Sequence, residues 1–520
     1  MRRSRPRWPF VLAAAALFAG SLACARADVP AVLPTVSMPT AAPTAVPPSP
    51  EPTETSSPTA EPATPSPAAP EPVASPTFPA TPTPDETQEP GTIVYRTQSG
   101  DTLHNLAIRF GVLPPEIVSP EGPIDDETSL INPDQLLLIP RRLSSTGPVD
   151  LLIPDSELVF SPHAAEFDPN TVAVRQGGFL LRYQEAIGGI WRSGPDIVAL
   201  AARDNSVNPR LLMAVLEYEA GWITNPERPE GEAFKYPLGH HDPTTPGLYR
   251  QLAWLANELG NGYYGWRAGS LTEIRLADGE GIRLAPELNA GTVGLQYYLA
   301  LRKDEAGWRA AVSPSGFLAT YTRLFGDPWA FYHPLYEPGL QQPEMILPFT
   351  PGATWAFTGG PHGAWEREAA WAALDFAPSS VLPGCASSTV WATAAAAGLV
   401  VRSENGLVVL DLDGDGREQT GWVLLYLHVA DEGRVPPGTL VEQGDRIGHP
   451  SCEGGVATGT HIHIVRKYNG EWILADGSLP FVLSGWTAHA GSRPYQGALV
   501  KGDQTVLACP CATSETLISR

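Results

Sequence analysis

Basic residues are scarce: 34 Lys and Arg stand against 56 Asp and Glu, for a formal net charge of −22. They are scattered, so there is no basic stripe to grip nucleic-acid phosphates and no polybasic patch for an anionic membrane. Cysteine is rarer still, with 5 in 520 residues and no CxxC pair of the kind structural zinc sites use. No apolar run reaches the ~20 residues of a membrane-spanning helix; the run over residues 10–23 falls short.

What surrounds that run explains it. Arg2, Arg3, Arg5 and Arg7 precede it and Ala25-Arg26-Ala27 follow, the pattern of a secretory signal peptide over residues 1–27. Cleavage after Ala27 is one reading. The other is lipidation at Cys24, because Leu22-Ala23-Cys24 resembles a bacterial lipobox, with Ser21 where that pattern prefers Leu. Simple export is preferred, and a membrane is a partner only if Cys24 is lipidated. Residues 28–92 are mostly Pro, Thr, Ala and Ser, with little to bury, and read as an extended disordered spacer. Export permits disulfides. Cys385 with Cys452 is the expected pair, since Cys509 and Cys511 are separated by one residue, a short loop that would strain a bond. Zinc ligation by these cysteines is the alternative.

A chain of this length holds two to four units. The first begins where composition turns globular. Ile93-Val94-Tyr95 reads as a strand, Leu103, Leu106, Ala107 and Phe110 as the apolar face of a helix ended by Gly111, and residues 136–140 as a second strand. Over residues 93–142 this resembles a LysM module. The resemblance implies that the loops Gly100, Asp101, Thr102, Leu103 and Ile131, Asn132, Pro133 hold N-acetylglucosamine units of a glycan. On their own terms Asp101 is a helix cap and Asn132-Pro133 a turn, and both readings can hold together.

Residues 150–345 read as mainly helical. Asn208-Pro209 starts a helix and Gly221 stops it. At ~100° per residue, Leu211, Leu212, Val215, Leu216, Tyr218 and Trp222 share an apolar arc that includes Glu219, whereas Glu217 falls on the polar side. A carboxyl against apolar neighbours is raised in pKa and suits a general acid. The segment from Ala214 to Trp222 is similar to the catalytic-Glu helix of lysozyme-like lytic transglycosylases, with Glu219 at the matching position, Ala220 in place of the usual Ser, and Gly294-Leu295-Gln296 as a faint second motif. A structural Glu paired with a core Arg is the alternative. His240-His241-Asp242 reads as a polar loop.

From residue 346 the period changes to that of strands: residues 391–394, 399–402, 407–410, 422–428 and 461–465 alternate between Gly-rich turns. His461 and His463, spaced by two, leave one face of their strand, while Ile462 and Ile464 leave the other. Two adjacent imidazoles are costly unless they share a metal or a proton-transfer task. His428 closes the strand Leu424-Leu425-Tyr426-Leu427-His428, and Asp375 ends Ala372-Ala373-Leu374-Asp375. His, Asp and His plus a water make a four-coordinate catalytic zinc set. Asp411-Leu412-Asp413-Gly414-Asp415-Gly416 has Trp422 where an EF-hand needs Glu, so a turn is preferred to a calcium loop.

From Gly359 to about Trp472 the chain resembles the M23, lysostaphin-like family of peptidoglycan endopeptidases. The resemblance lies in Asp375-Phe376-Ala377-Pro378, Tyr426-Leu427-His428, the turn glycines Gly438, Gly444 and Gly448, and Thr458-Gly459-Thr460-His461-Ile462-His463. It implies that His362, Asp375 and His463 bind Zn2+, that His461 is the general base and that His428 supports the oxyanion. The family's first histidine stands closer to its Asp than His362 does to Asp375. An insertion carrying Glu366, Arg367 and Glu368 either bulges out, or one of its carboxylates takes the place of His362.

The expected fold class is multidomain: a small βααβ LysM module, a mainly α middle domain, and an antiparallel β-rich metallopeptidase domain over residues 346–486, with 487–520 as a C-terminal tail. The expected function is a secreted, zinc-dependent cell-wall hydrolase that cuts peptide stems or cross-bridges of peptidoglycan while LysM holds glycan. The alternatives are a wall-binding or activating protein without catalysis, and a glycan-cleaving enzyme built on Glu219.

Overall fold

The computed structural model describes residues 91–520 except 125, 366–368, 380–383, 387 and 512. The expected signal peptide, Cys24 and nearly all of the spacer lie outside the described residues, as do Glu366, Arg367 and Glu368.

The first element pair is Thr92–Arg96 with Leu136–Pro140, antiparallel, Ile93 opposite Ile139. Between them runs the helix Leu103–Phe110, capped by the Thr102 hydroxyl at its N-terminus and by left-handed Gly111 at its end. The second helix of the expected βααβ unit is reduced to one 3-10 turn, Pro114–Glu116. Pro114 and Pro115 sit in the first turn, where a helix tolerates them; the chain becomes extended at Ile117, and Pro120 and Pro123 follow.

Residues 150–345 fold into helices, among them Gly194–Asn205, Pro209–Ala220, Leu248–Arg267 and Ala290–Ala300, with two short hairpins. The helix Pro209–Ala220 begins and ends on the residues its caps require, Asn208 and Gly221. Its Glu residues are placed opposite to expectation. Glu217 is buried and accepts from the amides of Ile223 and Thr224 at 3.0 and 3.1 Å and from the Thr224 hydroxyl at 2.6 Å. The chain doubles back after Gly221, so the polar side of the isolated helix is roofed by its own exit turn.

The C-terminal half is a nine-stranded antiparallel sheet. Its middle runs Leu407–Asp411, Trp422–Leu427, Ile462–Tyr468, Trp371–Pro378 and Thr354–Gly363. Both faces are covered, which is why these strands read as nearly continuous apolar runs. Val409, Val423, Leu425 and Val465 share one core with the helical region. Val408, Leu424, Tyr426, Ile462 and Ile464 belong to a second core on the other face, as the period-two argument expects for Ile462 and Ile464. Arg402 crosses the first interface, paired with Glu418 at 2.8 Å and with Asp204 of the helical region at 3.0 Å.

The segment 487–520 is not a tail. Trp486–Ala490, Gly497–Lys501 and Gln504–Leu507 form a four-stranded sheet with Val482–Leu483, and Leu517–Ser519 pairs with the strand Thr354–Gly363. Cys385 and Cys452 are bonded, as expected, and Cys509 is bonded to Cys511 against expectation. The Cα atoms of the latter pair are 5.0 Å apart, within the span a disulfide bridges.

Candidate metal centre

Strand register assembles the site. Asp375 lies opposite His463 on one side and Gly359 on the other, and His463 lies opposite Leu427, so one row crosses four strands. His428 follows Leu427 in a left-handed backbone conformation, φ +66°, which turns the chain sharply at the end of its strand. A register shift between Gly359 and His362 sets His362 opposite Ala373, and its ring joins the same cluster. The wide spacing to Asp375 is absorbed by the hairpin itself: Ala364 N donates to Ala370 O at 2.9 Å, closing the turn.

The three expected ligand atoms converge. His362 Nε2 is 3.1 Å from His463 Nδ1 and 3.4 Å from Asp375 Oδ1, and His463 Nδ1 is 3.3 Å from Asp375 Oδ1. A tetrahedral zinc with bonds of about 2.0–2.2 Å sets its ligand atoms about 3.3–3.6 Å apart. Among the described residues, Asp375 Oδ1 is buried and has no hydrogen-bond partner, with His461 Nε2 also only 3.7 Å away. An orphaned, ionised carboxylate oxygen among imidazole nitrogens is what a bound cation would satisfy.

Each imidazole is locked by a backbone carbonyl. His362 Nδ1 faces Gly360 O at 2.8 Å and His463 Nε2 faces Ala364 O at 3.0 Å. His461 Nδ1 faces Gly459 O at 2.7 Å and His428 Nδ1 faces Glu453 O at 2.9 Å. A carbonyl only accepts, so these nitrogens carry the protons and the opposite ring nitrogens present lone pairs to the centre.

Electrostatics follow the geometry. Burial works against the charge of Asp375, but the imidazoles, His362 first, hold its carboxyl well below the usual range. Burial also opposes a charge on His362, and the Asp375 carboxylate raises it nonetheless. Burial, followed by the neighbouring His461 and His463, pushes His428 down to about 4, so it is neutral at pH 7. The His428 and His461 rings lie 4.4 Å apart.

Tyr495 belongs to this centre and escaped the sequence reading. Its ring stacks on His362 at 4.1 Å, and its backbone pairs with Pro361 and Gly360. Its φ is +68°, a conformation a bulky residue adopts only when its surroundings impose it. It sits in the segment read as a tail, and no spacing rule points to it.

The other expected sites lie elsewhere. Glu219 is half-buried at the end of its helix, 3.7 Å from Lys303 Nζ, a lysine in place of the core arginine of the alternative reading. His240 stacks on Trp254 at 4.2 Å, and Asp242 caps its own turn through Thr244. The Asp411 carboxylate accepts from the amides of Asp413, Gly414 and Gly416, so that loop is wired as a turn. In the N-terminal module Asp101 is buried among Tyr95, Gln98 and Arg109, and Leu103 and Ile131 are core. Thr102 caps its helix, Asn132 accepts from Gly339 N at 3.2 Å, half-buried Pro133 follows it, and a Cβ on Gly100 would fall 2.0 Å from Arg267 Nη1. The loops assigned to glycan are therefore in contact with the helical region.

Known proteins bear on the same regions. Residues 151–339 match the family model described as LasA, N-terminal domain. Over 301 residues the chain is 28% identical to Protease LasA of Pseudomonas aeruginosa PAO1, an alignment covering 52% of this chain and 66% of that protein. It matches Protease LasA of strain UCBPP-PA14 equally. The chain thus spans 66% of the length of these curated relatives. Among solved structures it is similar to the M23 metalloprotease pseudoalterin from the deep sea, with 22% identity, TM-score 0.28, 32% of this chain and 96% of that one. It is also similar to the catalytic domain of lysostaphin from Staphylococcus simulans, with 18% identity, TM-score 0.17, 24% of this chain and 89% of that one. Residues 151–339, compared above with lytic transglycosylases, match a different family model.

Proposed function

We propose that this chain is an exported zinc endopeptidase that cleaves peptide stems or cross-bridges of peptidoglycan. The observation that carries the reading is the triangle of His362 Nε2, Asp375 Oδ1 and His463 Nδ1, whose carboxylate oxygen has no hydrogen-bond partner among the described residues. Those three atoms would hold zinc, which when bound supplies Lewis acidity toward a water and a peptide carbonyl at neutral pH.

The remaining histidines handle protons. His461 presents its free Nε2 beside Asp375 and takes the proton of the attacking water, then returns it to the leaving amine. His428 is neutral with its proton on Nδ1, so its Nε2 is an acceptor. It can support a developing oxyanion only after taking up a proton, which makes it a partner of His461 in proton transfer first.

Zinc content and the release of new amino groups from peptidoglycan test this together. One zinc per chain and chelator-sensitive release, both lost in His463→Ala, are the expected results. Absence of both in the wild-type protein would leave a wall-binding or activating protein instead.

A further inference from the structure

The two proton-handling histidines and the three ligands are supported from different sides. His362 and His463 donate to Gly360 O and Ala364 O, both in one hairpin. His428 and His461 depend on two other loops. In the first, Ser451 donates to His428 O through its amide at 2.7 Å and its hydroxyl at 3.0 Å, and Glu453 O receives His428 Nδ1. The same Ser451 accepts from His461 N at 3.3 Å. In the second, Gly384 O accepts from Thr460 N at 3.0 Å and Ala386 O from the Thr460 hydroxyl at 2.6 Å, one residue before His461. Cys452 lies between Ser451 and Glu453, and Cys385 lies between Gly384 and Ala386. Their disulfide ties the two supporting loops across 67 residues of chain.

We propose that the Cys385–Cys452 disulfide is a positioning device for His428 and His461, and that its reduction disables this pair while leaving the metal triangle in place. The inference rests on the proton-handling roles given above. The loop of Cys452 continues into Gly454 and Gly455, both left-handed and outside any strand; beyond the Ser451 and Glu453 hydrogen bonds above and that of Asp431 N to Glu453 Oε2 at 2.8 Å, the disulfide is what ties it to the loop of Cys385. Cys385 is exposed, within reach of a reductant. A water-soluble phosphine supplies two electrons to break the S–S bond. It ends as a phosphine oxide with its oxygen from water, whose two protons complete the thiols. In a reducing cytosol the chain would hold its ligands but not its proton-handling pair, and export would complete the site.

The test uses the full zinc-loaded chain carrying Cys509→Ser and Cys511→Ser, treated with phosphine until the thiols of Cys385 and Cys452 are titrated. In histidine ring N–H spectra, the hydrogen-bonded signals of His428 and His461 should disappear and those of His362 and His463 persist. Zinc should stay bound, and kcat should fall about 100-fold, the cost of roughly 1 Å of misplacement. Cys385→Ser/Cys452→Ser should match the reduced protein and ignore phosphine. Persistence of all four ring signals after reduction, or loss of zinc with the disulfide, overturns the proposal. An oxidised protein that releases no amino groups overturns the peptidase reading instead, and the ring signals still decide the positioning claim.

Discussion

A methyl group on Gly359 would sit 2.5 Å from Asp375 Oδ2. The two residues are direct neighbours across the sheet, and the carboxylate occupies the space that any other residue at 359 would fill. Gly359→Ala should therefore push Asp375 out of the ligand triangle. Zinc affinity, read by competition with a chelator, should fall at least about tenfold, as for a lost outer-shell contact. An unchanged affinity would mean that Asp375 is free to move, and would weaken the case for a preformed site.

The second relationship concerns Tyr495 and His362. Aromatic stacking contributes about 0.5–1.5 kcal/mol beyond area burial. Tyr495→Phe keeps the ring, so zinc affinity should stay within about twofold of wild type, whereas Tyr495→Ala should weaken it by roughly two- to tenfold. If Phe loses as much as Ala, the hydroxyl and not the stack supports the centre.

Arg267 is the point where the N-terminal module, the helical region and the sheet meet. It is buried, 3.1 Å from Asp155 and 3.2 Å from Glu471, and donates to the Tyr263 hydroxyl at 2.9 Å. Arg267→Met leaves two buried carboxylates uncompensated and should cost about 3–5 kcal/mol at neutral pH. Burial already raises the Glu471 carboxyl above its ordinary value, with Arg267 pulling it back. A carboxyl raised in the folded state stabilises the fold below its unfolded pKa and loses that stability as pH rises through the folded value. Removing Arg267 raises it further, so the variant should recover stability relative to wild type between pH 7.5 and 5. Urea unfolding at both values checks this, and a deficit that does not shrink at pH 5 would assign the loss to packing.

What the sequence made legible was local and periodic. The His461/His463 spacing placed two imidazoles on one face; His428 was recognisable because it follows an apolar strand, whereas Asp375, read as the end of an apolar stretch, lies inside the strand Trp371–Pro378. His362 was harder, because backbone irregularities around Gly359-Gly360-Pro361 alter pairing without any signature of their own. Tyr495 was invisible: it reaches His362 from a different sheet, through a contact between residues far apart in the chain. The loops around Gly100 and Asn132 were readable as turns, but their packing against Arg267 and Gly339 depends on how separate units meet.

Glu217 and Glu219 give the sharpest case of that limit and its test. A helical wheel sees only the helix, and on it Glu219 shares the apolar arc while Glu217 does not. The folded chain adds the exit turn, whose Ile223 and Thr224 amides and Thr224 hydroxyl all bond to Glu217, while Arg323 approaches at 3.3 Å. Hydrogen bonds to a charged group contribute about 1.5–3 kcal/mol each at most and are not additive. Glu217→Gln should therefore destabilise the chain by about 2 kcal/mol, whereas Glu219→Gln loses only a loose pairing with Lys303 and should shift stability by under about 1 kcal/mol. Thermal or urea unfolding of the two variants side by side measures the difference. Analysis of peptidoglycan fragments for new reducing ends or anhydro sugars adds the functional arm. If such products appear with wild type and vanish with Glu219→Gln while His463→Ala still makes them, the helical region carries its own chemistry. If none appear, Glu219 is a partly covered surface charge, and Glu217 is the residue that holds this helix to its turn.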